Sequence, residues 1–214
     1  MDLLNENNVI HIFFNKLGDI IIANLLFILC SIPLITIGPA LTAMYHCTLR
    51  TIKGNNNGTV KTFFKAFKEN FVQSIIIWIA ILTVDGVLFL NTRFLLHENG
   101  NISRILLYLS VGVAVLSLIF TLYIFPVIAT FANTLKMLCR NAFLLSFMHF
   151  PTTILMAIIT IFPLYMTYID VELLPLYACC WFFFGFGMVA FINSILLYRF
   201  FKKLLPPEED ISHL

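Results

Sequence analysis

The chain has 214 residues, 60% hydrophobic and 11% charged, with a formal net charge of +2 and a mean hydropathy of +0.96. That inventory cannot cover one core with a water-facing surface, so the sequence is written for lipid, and the small net charge excludes nucleic acid as a partner recognised by bulk electrostatics. One membrane domain over residues 1–205 uses nearly the whole length, and residues 206–214, with Pro206-Pro207-Glu208-Glu209-Asp210, read as a polar, disordered tail.

The N-terminus carries Asp2 and Glu6, with no basic stretch before its first apolar run and no AxA-like exit after it. A cleavable signal is not expected. About 20 apolar residues are needed to cross the hydrocarbon core as a helix. Five stretches satisfy this, approximately 17–37, 71–90, 105–130, 142–168 and 173–198, and they predict an all-α polytopic transmembrane helix bundle.

The first stretch ends in Ser31-Ile32-Pro33-Leu34-Ile35-Thr36-Ile37-Gly38-Pro39-Ala40. Two prolines and a glycine stop the helix, and Pro39 suits the first turn of a new one, predicted over 39–52 on the cytoplasmic leaflet. The plain reading of Pro33–Pro39 is a span end; the sharper one is a discontinuous helix of the kind that builds binding sites in transporters. The following segment, Lys61 to Phe71, sets Phe63, Phe64, Phe67 and Phe71 against Lys61, Lys65 and Lys68. It predicts a cytoplasmic interfacial helix near 61–70 whose lysines contact anionic headgroups, with docking of a partner protein as the alternative.

Asp85 is the one acidic residue well inside a predicted span, sharing a helix face with Ser74, Trp78 and Ile81. A carboxylate there costs a few kcal/mol unless it is neutral, paired or facing a polar interior. It is either functional or a near-boundary residue paired with Arg93 or Arg104. Asp19, three residues after Lys16, reads as a boundary residue at the outer end of the first span. Asn24, Asn133, His149 and Asn193 read as polar glue between helices, and Gly185, Gly187 and Ala190 as a close-packing strip. The five cysteines (Cys30, Cys47, Cys139, Cys179 and Cys180) read as small hydrophobes, and the five histidines (His11, His46, His97, His149 and His213) show no metal-ligand spacing. No catalytic residue, metal or cofactor is expected.

Orientation follows from the basic residues. With five spans, ten Lys and Arg fall on one side (Arg50, Lys53, Lys61, Lys65, Lys68, Lys136, Arg140, Arg199, Lys202 and Lys203) and three on the other (Lys16, Arg93 and Arg104). The positive-inside rule then predicts the N-terminus outside and the C-terminus inside.

The run Asp19 to Ala40, then Thr42-Ala43-Met44-Tyr45, then Phe63 to Phe71, and more loosely Arg140-Asn141-Ala142, resembles the YesL-like family of bacterial integral membrane proteins. Asp19, Asn24, Pro33, Thr36, Gly38, Asn70 and Phe71 match its pattern. The resemblance implies a multi-pass protein of a bacterial plasma membrane associated with carbohydrate utilisation, since such proteins are often encoded beside sugar ABC transporters and sensors. The function expected is therefore a non-enzymatic accessory or regulatory partner of a carbohydrate uptake or sensing system, with a sugar ABC permease or sensor protein as partner. The alternative is a small transporter or channel lined by Asp85 and the broken helix at Pro33–Pro39.

Overall fold

The computed structural model describes residues 9–54, 58–97 and 100–204, with side chains described within 14–202; the expected tail at 206–214 lies outside them. All regular structure among the described residues is helical. Four helical stretches are long and apolar enough to cross a membrane: Phe71–Leu95, Asn101–Thr130, Phe150–Ile169 and Leu174–Lys202. Five spans were expected, and the stretch 17–37 is not among the four.

Helix α1 runs Val9–Cys30. Pro33 takes extended backbone angles, Leu34–Thr36 make one 3-10 turn, and α2 runs Ile37–Ile52. The 17–37 run is thus divided at Cys30, because proline offers no N–H to continue the ladder. Pro39 sits in the first turn of α2, where a missing N–H costs nothing.

The expected surface helix over 39–52 is corrected by the structure. Most of α2 is buried, from Gly38 and Pro39 to Leu49 and Thr51, and it packs against α1 and the four helices α3 (Thr59–Glu69), α4 (Phe71–Leu95), α5 (Asn101–Thr130) and α9 (Phe186–Leu204). Its small residues Ala40, Ala43, Cys47 and Thr48 admit neighbouring helices closely, which outweighs its modest hydropathy.

Between α2 and α3 the backbone is left-handed at Gly54 (φ 80°) and Gly58 (φ 73°), angles that glycine adopts without a Cβ penalty. Asn70 closes α3 and opens α4, with its Nδ2 donating to the Ala66 carbonyl at 3.0 Å. The expected span 142–168 is two helices, α6 (Leu135–Met148) and α7 (Phe150–Ile169). Pro151 cannot donate to the ladder of α6 and fits the first turn of α7, so the helix breaks at His149. The last stretch comprises α8 (Leu174–Cys180), a π-helical turn at Trp181–Gly185, and α9.

The core lies toward one end of the bundle. Leu122 to Ala129 of α5 are buried all round, surrounded by α2, α4, α6 and α9, whereas Val111 to Leu116 of the same helix are exposed. A helix segment apolar on every side belongs either inside protein or in lipid, and α5 supplies both along its length. Burial by protein therefore concentrates where α2 lies, while the far halves of α4 and α5 stay joined through Asn91 Nδ2, which donates to Ser110 Oγ at 2.7 Å.

Candidate functional site

Three arrangements gather the chemically distinctive side chains: the turn between α1 and α2, a polar seam around α2, and a cleft that holds Asp85.

The turn is tied internally and to α4. Thr36 Oγ1 lies 2.6 Å from the Cys30 carbonyl, an acceptor that the end of α1 leaves open, and 2.7 Å from the Pro33 carbonyl, which also accepts from the Thr36 N–H at 2.9 Å, so one hydroxyl hydrogen is shared between the two. Trp78 Nε1 donates to the Leu34 carbonyl at 2.8 Å. Gly38 lies against α4 so closely that a Cβ there would stand 2.6 Å from Trp78 Cβ and 2.8 Å from the Ser74 carbonyl. Pro33, Thr36 and Gly38, singled out from the sequence, thus act together as a tight turn docked on Trp78, a partner that sequence reasoning placed only on the Asp85 face.

The seam runs along α2. Thr42 Oγ1 is 2.8 Å from Ser74 Oγ, and Thr48 Oγ1 is 2.8 Å from Ser194 Oγ, all four residues buried. His46 Nδ1 sits 3.2 Å from the Ala129 carbonyl, a contact that needs the ring proton on Nδ1. Asn193 Nδ2 donates to Thr160 Oγ1 at 3.1 Å, while its buried Oδ1 has no partner among the described residues. Asn24, fully buried, donates to the Trp181 and Phe182 carbonyls at 3.1 and 2.7 Å and accepts from the Gly187 N–H at 2.8 Å. Asn24 is the interhelical glue expected of it. The seam roles of Thr42, Thr48, Ser74 and Ser194 were missed, their signal being a recurrence of small hydroxyl residues within otherwise apolar helices; His46, read only as a histidine without metal-ligand spacing, carried no such signal.

Asp19 is tied to α3. Expected at the outer end of a crossing helix, it accepts a hydrogen bond from the Thr59 hydroxyl at the start of α3, in the segment assigned to the cytoplasmic side. Residues on opposite faces of a core about 30 Å thick cannot be hydrogen-bonded. Near them, Cys47 Sγ lies 3.9 Å from the Thr59 carbonyl.

On α3, Phe63 and Ala66 are buried at 0% and 1% exposure, while Lys61, Lys65 and Lys68 all face outward. Phe64 is 45% exposed, so the expected aromatic face is split between core and surroundings. Lys65 and Glu69 form an i,i+4 pair at 4.0 Å.

Asp85 is exposed and lines a cleft of about 1220 Å³ between α4, α5 and α7, with Trp78, Thr92, Leu118, Thr153 and Tyr165 among its walls. The lining is overwhelmingly apolar and includes none of the Pro33–Pro39 residues, so the two features of the expected transport pathway do not share a cavity. Ser74 and Ile81 of the same face are buried; Asp85, further along, is exposed where that face opens into the cleft.

The fold and these arrangements define a multi-pass helical membrane protein built around a buried central helix. Residues 20–92, the stretch from α1 through most of α4, match the family model described as Protein of unknown function, DUF624. No similarity to a curated protein or to a solved structure was found.

Proposed function

We propose that the protein is a non-enzymatic accessory partner of a carbohydrate uptake or sensing system in a bacterial plasma membrane, and that α3 is its docking element. The observation that carries this reading is the build of α3: Phe63 and Ala66 are sunk into the core beside α2 while Lys61, Lys65 and Lys68 stand outward. A basic ridge fixed to the core in this way is already ordered before it meets a partner or a headgroup, so little conformational entropy is lost on binding. The stretch matched by the family model contains most of the residues on which the YesL-like resemblance rests, and YesL-like proteins fall within that family. The association with carbohydrate utilisation comes from that resemblance.

The test is extraction in a mild detergent followed by isolation of the tagged protein and identification of what accompanies it. A sugar ABC permease or sensor recovered with the wild type, and lost when Lys61, Lys65 and Lys68 are all replaced by glutamate, supports the proposal. Quantitative crosslinking that finds only the protein itself, in cells growing on complex carbohydrate, removes it.

The second reading, a small transporter, draws support from the acid in the wall of the α4–α5–α7 cleft. It requires that Asp85→Asn alter uptake in reconstituted vesicles. Unchanged uptake in an active preparation takes Asp85 out of any mechanism.

A further inference from the structure

Helices α1 and α2 form an antiparallel hairpin closed by six residues, 31–36. Asp19, eleven residues before the end of α1, and Cys47, ten residues into α2, both meet Thr59, so the arms Asp19–Cys30 and Ile37–Cys47 are matched in length, with the Val9–Gly18 part of α1 lying beyond them. Whatever depth the Asp19–Cys30 arm gains, the Ile37–Cys47 arm gives back. The pair adds no net crossing.

The hairpin is also too short to reach the far face. Helix α2 has 16 residues, about 24 Å at 1.5 Å per residue, and carries Arg50 near its end, whereas the hydrocarbon core is about 30 Å thick. Its closed end is fixed against α4 at Ser74 and Trp78, through the Leu34–Trp78 and Thr42–Ser74 hydrogen bonds and the abutment of Gly38. Trp78 is seven residues from the start of α4 and seventeen from its end, about 10 Å and 25 Å along the helix axis. The tip stops in the near third of a helix that crosses.

What the tip presents at that depth is hydrocarbon. Ile32, Leu34 and Ile35 are 73%, 72% and 54% exposed, around Pro33. Non-helical backbone is tolerated within a bilayer only where protein satisfies its polar groups, and here the Cys30, Pro33 and Leu34 carbonyls are covered by Thr36 and Trp78. Apolar side chains facing outward over a turn in which these three carbonyls are covered from within fit acyl chains and fit water poorly.

We infer that α1 and α2 form a re-entrant hairpin that enters and leaves the membrane on the cytoplasmic side, buries Ile32, Leu34 and Ile35 among the acyl chains of that leaflet, and leaves the N- and C-termini on the same side. Four crossing helices after a hairpin with no net crossing return the chain to the face it began on. The basic residues then divide more sharply than in the five-span reading: Lys16 joins the other ten, so eleven face two, Arg93 and Arg104. That division makes the shared face cytoplasmic. The N-out sense expected from the sequence gives way to N-in with C-in. The hairpin inserts in this way whether or not α3 docks a transporter.

The experiment places a protease-cleavable peptide tag at either end of the full chain, expressed in bacteria, and exposes the protein to protease in intact spheroplasts and in inverted vesicles. Loss of both tags in inverted vesicles only is the expected result; loss of the N-terminal tag in spheroplasts overturns the inference. A second measurement examines the tip with Leu34→Cys in a background whose native cysteines are replaced by serine, after size-exclusion chromatography has shown it to be folded. A membrane-impermeant maleimide is expected to leave Leu34→Cys unlabelled from both sides while labelling Gly54→Cys from the cytoplasmic side. Labelling of Leu34→Cys from the periplasmic side means that both helices cross, and labelling from the cytoplasmic side means that the tip stands in water; either result overturns the insertion.

Discussion

The Oδ1 of Asn24 accepts the backbone N–H of Gly187 at 2.8 Å, which sets a side chain of α1 into the backbone ladder of the last helix. Gly187 follows a π-helical turn, whose wider winding leaves backbone groups out of register, and Asn24 Nδ2 reaches two of them, the Trp181 and Phe182 carbonyls. Gly187 is what permits the approach, since a Cβ there would stand 2.8 Å from the Ile20 carbonyl. One amide therefore joins the hairpin to the last crossing helix.

Asn24→Ala removes the acceptor and both donors and leaves a buried N–H without its partner. The loss expected is about 1–3 kcal/mol, the cost of stranding a buried polar group. Thermal unfolding in detergent, followed by tryptophan fluorescence because Trp181 lies at the joint, is expected to show a lower Tm. Asn24→Asp is expected to fall at least as far, because a carboxylate cannot donate to the two carbonyls. An unchanged Tm for both variants rules out the joint.

Gly38→Ala tests the contact between α2 and α4. The new methyl would lie 2.6 Å from Trp78 Cβ and 2.8 Å from the Ser74 carbonyl, backbone and near-backbone atoms that cannot swing away, so the helices must separate. Overpacking of this kind costs about 1–3 kcal/mol. Gly112→Ala is the matched control: nothing stands within 4 Å of its Cβ position, and replacing glycine by alanine within a helix favours the helix. A fall in Tm is expected for the first and none for the second. Equal behaviour of the two sets aside the close approach.

These two joints also show where sequence reading reaches and where it stops. The crossing helices α4 and α5 and the last stretch were legible because a run of apolar residues is what a bilayer requires. Helix α2 was not, since Thr42, Ala43, Thr48 and Thr51 give it the modest hydropathy of a surface helix, and hydropathy cannot tell a headgroup environment from close packing among five helices. The break at His149 was missed because a proline is tolerated within many membrane helices, so Pro151 did not by itself announce a turn. Asn24 and Gly38 were recognised as unusual for their helices, but their partners Gly187, Ser74 and Trp78 lie 36 or more residues away in sequence, and a single chain carries no signal of such pairings.

The basic ridge of α3 predicts a lipid dependence. Each lysine close to an anionic leaflet contributes on the order of 1 kcal/mol, and the attraction weakens with salt. Adding anionic lipid to the detergent-solubilised protein is expected to raise Tm more than the same amount of zwitterionic lipid does, and high salt is expected to shrink the difference. With Lys61, Lys65 and Lys68 all changed to glutamine, the anionic advantage should be largely lost while Tm in zwitterionic lipid stays near wild type, since all three side chains face outward. An anionic advantage that survives the triple change places the lipid site elsewhere.

The tip of the hairpin offers the most demanding test of the fold, because two different residues secure its backbone. Trp78→Phe deletes the donor to the Leu34 carbonyl while retaining an aromatic ring near Phe125, whose centroid lies 6.1 Å from that of Trp78. Thr36→Val keeps the shape of the side chain and deletes the hydroxyl that covers the Cys30 and Pro33 carbonyls. In water either loss would be repaired by solvent; at membrane depth it is not, so each change is expected to cost about 1–3 kcal/mol. Because both hold the same six-residue turn, their effects should not add: once one anchor is gone the turn relaxes, and the second change removes less. A double-mutant cycle read by unfolding in detergent measures this. Strict additivity would mean that Thr36 and Trp78 act on independent pieces of structure and that the turn is not one unit.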